Sequence, residues 1–234
     1  MNILIVFAHP EPKSFNGAMK DMAVGTLTKE GHQVQVSDLY AMNFKSNGDQ
    51  QDFKSLSNPD YFKFAVEQHH AYDNGLLTED IVAEQEKLQW CDFLILQFPL
   101  WWFSLPAILK GWVDRVFTTE FAYGGGKSYD NGGLKGRKTM LSLTTGGPEK
   151  IYQSTSLNGD IHQILFPINH GILFFVGFEV LPPYIAWSPA RLDDEQRKQL
   201  LSDYQQTLLK LDKIEPINYP KLADYDDQLQ LKTK

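Results

Sequence analysis

Short apolar runs alternate along this chain with longer segments whose apolar positions recur every three or four residues. Asn2–Phe7 (NILIVF) and Phe93–Phe98 (FLILQF) are almost unbroken in apolar character, and Lys138–Thr145 (KTMLSLTT) follows the same pattern. Such runs suit strands covered on both faces, as in a parallel sheet. Val34–Val36 begins another strand, and Glu179–Trp187 reads as the fifth. Between them lie helical patterns. Met19, Met22, Ala23, Thr26 and Leu27 share one face of a helix that Gly31 stops. Tyr61–His70 reads as a short helix, and Thr78–Trp90 as a longer one opened by Thr78, Glu79 and Asp80. Leu105, Ile108, Leu109, Trp112 and Val116 form the apolar face of the next, with Ser104 as its cap and Pro106 in its first turn. Another is expected over Asn158–Leu165, interrupted at Pro167 and resuming through Phe175, and a last one over Leu192–Leu211. Residues 41–60 and Phe121–Gly133 read as irregular. Alternating strands and helices predict an α/β, doubly wound, five-stranded parallel sheet with helices on both faces. It is expected to occupy residues 1–213, with 214–234 as a polar C-terminal arm or tail.

Composition narrows the picture. Hydrophobic residues make up 42% of 234, enough for a full core. The net charge of −7 argues against nonspecific nucleic-acid or anionic-membrane binding, and any bound phosphate must be held by local donors. The lone Cys91 excludes an internal disulfide and fits a reducing compartment. No membrane insertion is expected, since the apolar stretch Ile3–Ala8 is too short to span. A cytoplasmic protein is the expectation. The stretch Gly124–Ser128 (GGGKS) is not a phosphate loop, because Phe121 stands where its first glycine is required.

Three loops follow the first, third and fourth strands and must share one edge of such a sheet, where open α/β folds bind ligands. His9–Asn16 offers a hydroxyl, a lysine and helix-start N–H groups, which suit a pyrophosphate. Pro99–Phe103 (PLWWF) offers aromatic surface and backbone amides, which suit a flat tricyclic ring. Thr144–Gly147 (TTGG) offers two hydroxyls and two glycines that admit close approach. Together they describe a seat for a flavin dinucleotide. No dinucleotide glycine fingerprint of the NAD-enzyme type occurs.

The wording of these loops, AHPEPKSFN, SDLYAMNF, QFPLWWFSLPAILKGWVDRVF, EFAY, LTTGG and GFEVL, resembles the NAD(P)H quinone oxidoreductase (DT-diaphorase) family of the flavodoxin-like superfamily. The resemblance covers the chain to about Trp187. It implies a flavodoxin-like fold, a homodimer with sites at the interface, FAD as cofactor, and two-electron ping-pong hydride transfer from NAD(P)H to a quinone. It places the pyrophosphate near His9, Ser14, Phe15 and Asn16, with Lys13 adding charge. The flavin ring falls on Pro99, Leu100, Trp101, Trp102 and Phe103 and on Thr144, Thr145, Gly146 and Gly147, with Arg197 at the adenosine end. Trp102, Phe103, Gly146, Gly147, Phe175 and Tyr123 are implied as substrate contacts, Tyr123 coming from the partner subunit. Tyr152 matches the catalytic tyrosine, a phenolic donor to charge developing around flavin N1 and the C2 carbonyl.

The chain also departs from the pattern. Asn158 stands six residues after Tyr152, where one branch of the family carries histidine; asparagine donates a hydrogen bond but carries no proton. Asn158 is expected to order a substrate carbonyl or water. A sister branch also has asparagine there, lacks a long C-terminal extension and prefers small dihydronicotinamides, so a truncated donor joins NAD(P)H as the expected reductant. Gly125 stands where an aromatic often lines the pocket and widens it. His170 matches one ligand of that branch's metal site, but Phe174 replaces the second, so no metal is expected. The alternative implied by relatives is an ancillary flavoprotein subunit of a potassium-efflux system.

Overall fold

The structure is a computed structural model and describes residues 1–232. Its strands are β1 (Asn2–Phe7), β2 (Gln33–Asp38), β3 (Phe93–Pro99), β4 (Lys138–Thr144), β5 (Glu179–Val180) and β6 (Tyr184–Ala186). All pair in parallel in the order β2-β1-β3-β4-β5, and β6 pairs with the carboxyl end of β4. This is the strand order of a flavodoxin-like sheet, with its switch point between β1 and β3. The expected fifth strand is therefore two short ones. Pro182 and Pro183 lie between them and have no N–H to give to β4.

The helices are α1 (Phe15–Lys29), α2 (Phe64–Asn74), α3 (Glu79–Trp90), α4 (Ala107–Val116), α5 (Ile161–Ile168) and α6 (Asp194–Leu208). Met19, Ala23 and Leu27 of α1 and Tyr204 and Leu208 of α6 pack with Ile3, Ile5, Phe93 and Ile95 on one face of the sheet. Leu88 of α3, Leu109 and Trp112 of α4, and Leu165 and Ile168 of α5 pack with Leu4, Leu94, Leu96 and Phe98 on the other. The period of two along β3 thus divides its residues between two cores.

Several helix ends differ from expectation. Ser104 does not cap α4. Its N–H closes a turn on the Trp101 carbonyl at 3.0 Å, and Pro106 takes the N-cap position. The α5 helix starts at Ile161, where the Asp160 side chain accepts from the His162 N–H at 2.7 Å. It runs through Pro167 and passes into a π-helical turn, Asn169–Phe174, rather than breaking. The α2 helix begins at Phe64, three residues later than the pattern predicts.

Residues 41–63 cross between β2 and α2 and are tied down by buried carboxylates. Glu67 of α2 accepts from Ser57 N and Oγ, both at 2.7 Å, and from Asn58 N at 3.1 Å. Burial disfavours the Glu67 charge, but these donors outweigh it and hold its pKa below the usual glutamate value. The stabilisation is present above the unfolded pKa, about 4.3, and is lost as pH falls through the lower folded value. Acid is therefore expected to lower the hydrogen-exchange protection factors of the Ser57 and Asn58 amides before those of β1 or β3. Cys91 is buried, and burial pushes its thiol up to about 11, so the thiol stays protonated at neutral pH.

From Ile217 the chain runs along the sheet edge. Ile217 N donates to the Val180 carbonyl at 2.7 Å, and Leu222 N donates to Asp130 Oδ1 at 2.9 Å. Tyr219 joins Phe166, His170 and Phe174 in an aromatic cluster, where burial lowers the His170 pKa. Among the described residues, no helix is long and apolar enough to cross a membrane, and no group of three or more His, Cys, Asp or Glu is placed to hold a metal.

Candidate active site

A groove of about 500 Å³ crosses the carboxyl edge of the sheet. It joins His9, Ser14, Phe15 and Asn16 after β1, Pro99, Leu100 and Trp101 after β3, and Thr144, Thr145 and Gly146 after β4. Parallel register makes this meeting unavoidable, because Phe7 pairs with Gln97 and Pro99 with Thr144. Leu100 N donates to the Thr144 carbonyl at 2.8 Å, fastening the second loop to the third.

The first loop is shaped to open a helix. Ser14 caps α1 by accepting from Gly17 N at 3.1 Å, and the first turn carries no acidic residue. Its remaining N–H groups and the helix dipole favour an anion, with Glu11 of the preceding loop as the nearby carboxylate. Glu11 N donates to His9 Nδ1 at 3.0 Å, and the His9 ring lies 6.1 Å from Trp101. Gly17 is fixed by contact, since a Cβ there would stand 1.9 Å from the Pro12 carbonyl oxygen. Gly17→Ala is expected to displace the loop and weaken flavin binding by at least about tenfold, roughly 1.4 kcal/mol. Titration of the apoprotein with FAD checks it.

The second loop stores strain. Trp102 and Phe103 are successive non-glycine residues with left-handed backbone, φ 50° and 58°. Each costs about 1–3 kcal/mol. The strain turns large apolar surfaces outward, with Trp102 95% exposed, Phe103 48% and Trp101 40%. Such a patch beside a groove suits a flat guest.

The third loop divides its duties. Thr144 Oγ1 accepts from Asn16 Nδ2 at 2.9 Å. The Thr145 hydroxyl is used internally, donating to the Gly147 carbonyl at 2.7 Å and accepting from Ser188 N at 3.3 Å. A Cβ on Gly146 would meet open space. One on Gly147 would approach Ile151 Cδ1 to 2.5 Å and Tyr152 Cε2 to 3.3 Å, so this glycine lets Tyr152 pack close.

Tyr152 is outside the groove lining, its ring 6.5 Å from Phe103 and 5.4 Å from Trp187. Its hydroxyl has no hydrogen bond to the described residues, and neither has the half-buried Asn158 side chain. Asn158 is held by its backbone, N–H to the Ile151 carbonyl at 3.0 Å.

Trp102, Phe103, Gly147, Tyr152 and Asn158 adjoin the groove in sequence without lining it, and other expected residues stand apart from it or are already engaged. Lys13 is exposed outside the groove lining, its N–H on Glu11 Oε1 at 2.8 Å. Arg197 reaches the groove, but its guanidinium is engaged by the Pro189 and Leu192 carbonyls and Asp194, so it fixes that turn. Tyr123 and Phe175, 5.9 Å apart, line a separate depression of about 230 Å³ with Val113 and Phe117. Pro189 and Ala190 line the groove and were not foreseen; the signal was the Ser-Pro pair that ends the fifth apolar run.

Comparison with known proteins agrees with this architecture. The family profile described as "Flavodoxin-like fold" matches residues 1–208. The rat protein named ribosyldihydronicotinamide dehydrogenase [quinone] is 48% identical over 217 residues, 92% of this chain and 94% of that relative. Rat NAD(P)H dehydrogenase [quinone] 1 is 42% identical over 228 residues, 97% of this chain and 83% of that one. A crystal structure of a Klebsiella pneumoniae protein assigned as a quinone reductase superposes with a TM-score of 0.96 at 42% identity, covering 99% of this chain and 94% of that chain. With its parallel sheet, aromatic turn and groove already set out, the chain belongs to the NAD(P)H quinone oxidoreductase family of flavodoxin-like proteins.

Proposed function

We propose that the protein is an FAD-dependent quinone reductase. The observation that carries the reading is the groove itself, lined by a helix start with no acidic residue in its first turn and by Trp101 of the exposed, strained aromatic loop. Its residues fit a flavin dinucleotide, since the space over Gly146 is open and polar groups line the α1 end. When bound, FAD supplies the two-electron relay, accepting a hydride from a dihydronicotinamide and giving it to a quinone in ping-pong fashion.

The chain's own residues then have separable duties. His9, Ser14, Phe15 and Asn16 bind the pyrophosphate through the first turn of α1. Lys13 adds charge from outside the groove, and Arg197 holds the turn that meets the adenosine end. Pro99, Leu100 and Trp101, with Thr144, Thr145 and Gly146, seat the ring. Trp102 and Phe103 present flat surface to donor and acceptor, and Gly147 holds Tyr152 close. The Tyr152 hydroxyl donates to developing negative charge, and Asn158 orders a substrate carbonyl or water without carrying a proton. Phe175 and, from a partner subunit in a homodimer, Tyr123 complete the pocket. The donor is NAD(P)H or a shorter dihydronicotinamide, and the protein works in the cytoplasm. No observation on the site favours the potassium-efflux reading over this one.

Heat release of the chromophore from purified protein tests the cofactor. FAD at one per chain is the expected result, and FMN or a colourless protein would overturn it.

A further inference from the structure

Gln97 interrupts the apolar run of β3 and is wholly buried. It belongs to the face carrying Phe93 and Ile95, where an apolar residue is the expected occupant. Its amide lies inside a continuous chain of hydrogen bonds. Ser142 Oγ donates to Gln97 Oε1 at 2.6 Å. Gln97 Nε2 donates to Asn16 Oδ1 at 2.9 Å. Asn16 Nδ2 donates to Thr144 Oγ1 at 2.9 Å. Ser142, Gln97, Asn16 and Thr144 are all buried, and the last two line the groove.

Such a chain has two polarities. In the one just described, each member accepts from behind and donates forward, and the Thr144 hydroxyl proton is left over for the groove. In the reverse, Thr144 donates back to Asn16 and offers the groove no proton. The orientation of the two amides selects the forward polarity. Gln97 turns Oε1 toward Ser142 and Nε2 toward Asn16 Oδ1, so the Ser142 hydroxyl has to donate. Asn16 turns Nδ2 toward Thr144 Oγ1, which has to accept.

We infer that Gln97 is a positioning residue: the buried relay Ser142–Gln97–Asn16–Thr144 fixes the Thr144 hydroxyl as a hydrogen-bond donor to the flavin. This rests on the proposed function and deepens it. The relay also explains the buried polar side chain in the otherwise apolar strand β3. It couples the loops after β1, β3 and β4, so that the groove is preset before a ligand arrives.

A double-mutant cycle tests it, read as FAD dissociation constant and as flavin midpoint potential, with thermal melting as the control for fold. Gln97→Leu and Thr144→Val are each expected to weaken FAD binding by about tenfold and to shift the potential in the same direction. The double variant is expected to be no weaker than Thr144→Val alone. Ser142→Ala, which alters only the far end of the relay, should show a smaller change that also disappears in the Thr144→Val background. This second variant serves if Gln97→Leu does not fold. Additive effects, or a Gln97→Leu protein with unchanged affinity and potential, would overturn the relay while wild-type FAD binding left the proposed function standing. A folded wild-type chain that bound no flavin would overturn both.

Discussion

Arg115→Met is expected to lower stability by about 3–5 kcal/mol, because it leaves a buried carboxylate short of its partner. Arg115 is 2% exposed on α4 and Asp52 is 1% exposed. Arg115 Nε donates to Asp52 Oδ1 at 3.0 Å, and its Nη1 pairs with Asp80 Oδ2 at 2.7 Å. The guanidinium carbon lies 4.8 Å from the Phe44 ring centroid, so packing is lost along with charge. Lys45 still reaches Asp52 at 2.9 Å, which keeps the loss from growing larger. For a chain of this size the melting temperature should fall by about 10 °C. One side chain here joins the 41–63 excursion, α3 and α4, and α4 follows directly from the strained aromatic turn. A loss below about 1 kcal/mol in a urea melt would show that the network is not a structural tie.

Tyr152→Phe carries the largest expected effect on rate. The ring contacts with Phe103 and Trp187 survive this change, so FAD and flat substrates should still bind. Only the hydroxyl is lost, and it has no competing protein partner among the described residues. Removing a donor aimed at developing charge costs about 10²–10³ in rate. The expected pattern is a kcat reduced on that scale with KM little changed. Steady-state kinetics with one donor and one quinone reads both quantities. A fall of less than about threefold would give Tyr152 a packing role only.

Much of the sheet was legible because buried parallel strands write themselves as apolar runs. The expected bounds of β1 match the structure, and those of β3 and β4 differ by one residue at their carboxyl ends. The segment after Val180 misled because its apolar content hides two prolines, which forbid a continuous ladder. Ser104 misled because capping chemistry and turn closure use the same residue type; here the turn at Trp101 claimed its N–H. Pro167 reads in sequence as a break or kink with helix resuming through Phe175; the helix absorbs it and widens into a π-turn over Asn169–Phe174. The groove was legible loop by loop, since each loop follows a strand whose order is fixed by the fold. Side-chain engagement was not. Arg197 and the Thr145 hydroxyl look free in sequence and are occupied in the structure. Gln97 carried the opposite signal, a single polar residue in an apolar run, and its meaning emerges only when β4 and α1 are seen on either side of it.

The proposed reductase is expected to perform two separable half-reactions at this groove. Anaerobic stopped-flow mixing reads it directly. The purified protein is first mixed with NADH, NADPH or a ribosyl dihydronicotinamide, then freed of donor and mixed with a quinone. The account predicts loss of the visible flavin band with at least one donor, at a rate no slower than turnover, and full recovery on adding quinone alone. No loss with any donor, or quinone consumption only while donor and quinone are present together, would contradict it.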